Sequence, residues 1–130
     1  VSSLKNASAM FNDCHTLEDI AAFKNWDVSG LLNIKSMFGA CNYLKDLSCL
    51  SNWDVSNVCN MESLFEGCDY LDDISPLANW DVGNVKKMDF IFKDTNVRDA
   101  RCLNGWNVKI TDKSNIFRDC EISKKPQWVL

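Results

Sequence analysis

Phenylalanines recur at Phe11, Phe38, Phe65, Phe92 and Phe117, at steps of 27, 27, 27 and 25 residues. A chain with such a period folds as stacked copies of one small unit, because a single copy cannot bury its own apolar face. Trp26, Trp53 and Trp80 keep the same 27-residue beat. Trp106 arrives one residue early, the fourth copy having lost a residue between Thr95 and Val97. Units of approximately 4–30, 31–57, 58–84, 85–109 and 110–130 follow, within one repeat domain spanning 1–130. Both ends fall inside a repeat, so the chain reads as a fragment of a longer protein.

The third unit is the cleanest copy, with Val58, Met61, Leu64, Phe65, Cys68, Leu71, Ile74, Leu77 and Trp80. Its first four apolar residues lie at i, i+3, i+6 and i+7, which predicts one stripe of a short helix capped by Ser56 or Asn57. That helix should stop near Gly67-Cys68, where other copies carry Gly39-Ala40, Asp13 and Asp119. Leu44 to Asn52 then fits the pattern LxxLxLxxN, whose centre is a short strand in a curved parallel sheet. Pro76 at a strand position is awkward, since it has no N–H to donate. The expected fold class is therefore α/β, a right-handed leucine-rich-repeat-like solenoid of about five units, each with a short helix and a short parallel strand or extended segment. Counting from Ile122 places Trp128 in the slot of Leu103 and not in the tryptophan slot.

Composition excludes some partners. A net charge of −4 and a pI near 4.9 leave no basic stripe for nucleic acid, and acidic residues interrupt the C-terminal lysines. No run approaches the roughly 20 apolar residues needed to span a bilayer, and Val1 to Ala9 carry no targeting pattern.

Asn52 to Val82, NWDVSNVCNMESLFEGCDYLDDISPLANWDV, resembles the repeat of BspA-like bacterial surface proteins, leucine-rich-repeat relatives with a WDxSNVxxMxxMFxxCxxL signature. The likeness covers essentially the whole chain. It departs late, where Asn107 replaces the aspartate after Trp106 and Lys113 replaces a methionine. The resemblance implies a cell-surface or secreted protein, surface-exposed or lipid-anchored, of a family associated with adhesion to host or extracellular-matrix proteins, and it transfers no catalytic residue.

The remaining notable residues fall into columns. Cys14, Cys41, Cys68 and Cys120 occupy one slot that also accepts Thr95, which points to packed free thiols; no CxxC suggests zinc, and no metal or cofactor is expected. Asp27, Asp54 and Asp81 follow the tryptophans and are read as caps of turn amides. Asp19, Asp46, Asp73 and Asp99 form a second column, either simply solvated or an acidic ligand-facing stripe together with Ser48, Ser75 and Arg101. His15, the only histidine, has no counterpart in other copies; a Cys14-His15 nucleophile pair is disfavoured because adjacent side chains point apart. Asn6-Ala7-Ser8 matches a glycosylation triplet in spelling alone. The reading is a non-catalytic binding module for protein–protein or cell-adhesion contacts, with a purely structural repeat stalk as the alternative.

Overall fold

The computed structural model describes residues 3–129; Val1, Ser2 and Leu130, the last assigned above to the fifth unit, lie outside them. Successive units stack in the register of the period, joined by isolated parallel bridges between Asn6, Asn33, Asn60 and Lys87, between Asp19 and Asp46, and between Asp99 and Lys124. The expected helix-and-strand unit is not what forms. Among the described residues there is no α-helix and no β-strand. The regular elements are four short 3-10 helices, Ala21–Phe23, Ser48–Asn52, Ser75–Leu77 and Arg101–Leu103. The leucine-rich-repeat-like solenoid of helix and strand units is thereby overturned in favour of stacked turns.

Hydrogen bonding explains the first error. An α-helix keeps each interior N–H within its own segment, four residues back. In the third unit, Leu64 N–H turns back to the Met61 carbonyl at 3.2 Å and Cys68 N–H to that of Phe65 at 3.1 Å. The alternate donors leave the unit. Met61, Ser63, Phe65 and Gly67 donate to the carbonyls of Lys87, Asp89, Ile91 and Lys93 in the next unit, all at 2.9–3.0 Å. Consecutive turns of three to four residues put Met61, Leu64, Phe65 and Cys68 inward just as a helix would, so apolar spacing alone does not separate the two.

The backbone also forbids the helix. Ser63 and Gly67 have left-handed φ of 57° and 79°, and the same two slots are left-handed in other copies, at Ala9, Ser36 and Phe90 and at Asp13, Ala40, Asp94 and Asp119. Aspartate tolerates this region and glycine favours it, whereas alanine is held there at a cost of about 1–2 kcal/mol. A Cβ on Gly67 would lie 3.3 Å from Ala40 Cα, so crowding reinforces its choice. Ala40→Gly is accordingly expected to stabilise the fold by about 1 kcal/mol, seen as a higher urea midpoint; an unchanged or lower midpoint would show that Ala40 is unstrained.

The second error has a local cause. Asp46 Oδ1 accepts the Ser48 N–H at 2.9 Å and bends the chain out of an extended path into a 3-10 helix. Pro76 fits at the start of the equivalent helix, where its ring presets φ and no donor is needed. Leu77 and Leu103 end their helices, Leu50 is the central residue of Ser48–Asn52, and all three are fully buried.

Columns of identical slots make the core. The phenylalanine rings stack at 5.7, 5.8, 6.0 and 5.3 Å from Phe11 to Phe117. Three tryptophan indoles donate to a carbonyl in the preceding unit: Trp53 to Phe23, Trp80 to Leu50, and Trp106 to Leu77. Trp128 does the same to Leu103 at 2.8 Å and stacks on Trp106 with 4° between the rings. Trp128 therefore takes the tryptophan slot, against the count from Ile122; the last unit is shortened, and the indole follows its carbonyl acceptor rather than residue number. In the first described unit Phe11, Phe23 and Trp26 are half-buried, with no earlier unit packed on them among the described residues.

Candidate functional site

Aspartates and asparagines shape three edges of the stack. Asn6, Asn33 and Asn60 accept the N–H two residues on, from Ser8, Lys35 and Glu62. Asp27, Asp54 and Asp81 do so from Ser29, Ser56 and Gly83, the capping expected of them. Hydrogen bonds from the side chain and then the backbone of Ser56 hold the Asp54 carboxyl below its ordinary range, and those of Ser29 act likewise on Asp27.

The second aspartate column has the same local geometry. Asp19, Asp46, Asp73 and Asp99 accept through Oδ1 from the N–H groups of Ala21, Ser48, Ser75 and Arg101 at 2.9–3.1 Å. One oxygen of each is thus fixed by its own turn. Oδ2 of Asp19, Asp46 and Asp73 has no protein partner among the described residues and stands at an exposed position. Asp99 differs, because the Arg101 guanidinium forks onto both of its oxygens at 3.0 and 2.7 Å. That side-chain contact, then the Arg101 backbone N–H, pulls its carboxyl down to about 2.

All seven residues singled out from the sequence lie on one face, around two adjoining concavities. Asp19, Asp46, Ser48 and Asp73 line a groove of about 790 Å³; Asp73, Ser75, Asp99 and Arg101 line its neighbour of about 870 Å³. Asp72 and Asp73 belong to both. The structure adds Glu18, Lys45, Asp72, Tyr43 and Tyr70 to the first groove. The 27-residue spacing of Tyr43 and Tyr70 was the available signal for that pair.

The histidine and the two most buried cysteines lie outside both grooves. Exposed His15 shares a hydrogen bond through Nδ1 with Asn42 Oδ1. Cys41 and Cys68 are buried and donate to the carbonyls of Phe11 and Phe38. Burial pushes the Cys41 thiol up to about 11 and Cys68 higher still. Buried thiols are poor nucleophiles because the thiolate is the reactive form. Cys59 is exposed. Iodoacetamide at pH 8 is expected to label Cys59 in the native chain and Cys41 and Cys68 only after unfolding, as read by peptide mass spectrometry; native labelling of Cys68 would contradict its burial. A raised folded-state value also sets a sign with pH. The stability from the neutral thiols is complete below the ordinary thiol value of 9.0 and declines as pH rises from there through about 11.

Fold and site together define a class, a repeat protein built of stacked turns that carries one acidic, grooved face. Over residues 1–128 the chain matches the family model described as Mycoplasma protein of unknown function, DUF285, and it belongs to that family. No curated protein and no solved structure matches it. No helix among the described residues is long and apolar enough to cross a membrane.

Proposed function

We propose that the chain is a non-catalytic binding module of a bacterial cell-surface or secreted protein, using the face of Asp19, Asp46 and Asp73 to engage a protein partner. One observation carries the reading. Three carboxylates are each fixed through Oδ1, leaving Oδ2 presented at successive levels of the same face. Acceptors ordered before binding lose little entropy when a partner arrives, which favours affinity from many small contacts. Membership of a family of Mycoplasma proteins, and the likeness of the repeat to BspA-like surface proteins, support the surface setting. Adhesion to extracellular-matrix proteins is the finer form of the proposal.

The test is surface plasmon resonance of the chain against a panel of immobilised matrix proteins. Saturable binding that falls at least tenfold in the Asp46→Lys/Asp73→Lys variant is the expected result. Binding unchanged by the double reversal would place the site elsewhere, and no saturable binding to any of the panel would leave the stalk reading in its place.

A further inference from the structure

We propose that this face takes a short basic segment of its partner, with an arginine or lysine side chain seated against Tyr43. The assignment rests on the binding-module reading and adds the chemistry of what is bound. It starts from the exposed aromatic pair. Tyr43 and Tyr70 are each 53% exposed, whereas Phe38, Phe65 and Phe92 are fully buried. The two tyrosine rings stack on each other at 5.4 Å and 14° in the open, forming an apolar ledge that the core does not use. Exposed aromatic surface beside polar groups is a common mark of a contact surface.

Charge identifies the occupant. The groove beside the ledge holds Glu18, Asp19, Asp46, Asp72 and Asp73 against one cation, Lys45, which itself lies 3.7 Å from Asp72. Tyr70 covers one face of Tyr43, and the preceding unit carries only exposed Thr16 in the equivalent slot. The other face of Tyr43 is therefore the open one, on the side of the unit that contributes Glu18 and Asp19 to the groove. A guanidinium or ammonium placed there meets a ring face and nearby carboxylates at once. An acidic partner is repelled, and a neutral glycan leaves the surplus of negative charge unanswered.

Size follows from stacking. Units joined by parallel bridges lie about 4.8 Å apart, so Asp19 to Asp73 spans about 10 Å, the length of about three extended residues. Two or three adjacent basic residues match this span.

The probe is a fluorescein-labelled tetra-arginine peptide, titrated with the full chain in anisotropy measurements at about 50 and about 500 mM NaCl. Saturable binding, weaker at high salt, is expected. Tyr43→Ala should weaken it about tenfold and Glu18→Gln/Asp19→Asn similarly, while Tyr43→Phe, which keeps the ring face, and the distant Asp112→Asn leave it unchanged. A tryptophan-emission urea melt of each variant checks that the fold is intact. Equal binding by Tyr43→Ala, or no saturable binding of tetra-arginine, overturns the proposal; so does an uncharged oligosaccharide that binds through Tyr43 when the peptide does not. Failure of the peptide alongside a matrix protein still lost in Asp46→Lys/Asp73→Lys removes the basic-segment assignment and keeps the binding module. Failure of both removes both.

Discussion

Phe65→Ala is expected to lower the unfolding free energy by about 3–5 kcal/mol, a large part of the roughly 5–15 kcal/mol typical of a folded domain. Phe65 is fully buried and stacks on Phe38 at 5.8 Å and on Phe92 at 6.0 Å. In a repeat stack each unit contacts only its neighbours, so emptying a central slot weakens two interfaces. Phe117 stacks on Phe92 at 5.3 Å but on no second phenylalanine among the described residues and is 9% exposed, so Phe117→Ala should cost less. Urea melts followed by tryptophan emission measure both. Equal costs at the two positions would show that the units do not couple through this column.

Trp106→Ala should produce a second loss of about 3–5 kcal/mol, since a nearly buried indole is removed from between its neighbours. The ring packs on Phe92 and Trp128, and its Nε1 donates to the Leu77 carbonyl at 2.8 Å. Trp106→Phe separates the two contributions. The Leu77 carbonyl keeps a second donor, the Trp80 N–H at 3.1 Å, so losing the indole N–H costs only about 0.5–1.5 kcal/mol beyond the lost ring area. Hydrogen exchange should localise the alanine variant's loss to residues 110–129, which rest on Trp106 through Trp128. Faster exchange spread evenly over all units would mean that the stack unfolds as one block.

Much of the core was legible because stacking copies a slot from unit to unit. The columns of Phe11 to Phe117 and of Cys14, Cys41, Cys68, Thr95 and Cys120 were readable from spacing, and so were the caps at Asp27, Asp54 and Asp81. The helix was not, because Met61, Ser63, Phe65 and Gly67 send their N–H groups to another unit, and no local pattern records a partner 26 residues away. Trp128 was misplaced for a related reason: its slot is defined by the Leu103 carbonyl and the Trp106 ring, which a count along a shortened unit does not contain.

The site divides in the same way. The repeat of Asp19, Asp46, Asp73 and Asp99 pointed to one stripe, and the structure gathers that stripe around two grooves. Its chemistry was not readable in advance. Arg101 neutralises Asp99 by a two-pronged contact, while Asp19, Asp46 and Asp73 keep an oxygen free.

By itself the sequence determined the repeat length, the inward-facing residues and the aspartate stripe, because burial and local capping act on each unit's own side chains. Only the tertiary structure decided that the units are turns rather than helix and strand, that Trp128 closes the tryptophan column, and that Tyr43 and Tyr70 meet in the open beside the carboxylates. Those outcomes depend on hydrogen bonds and ring contacts between units, which exist only once one unit lies on the next.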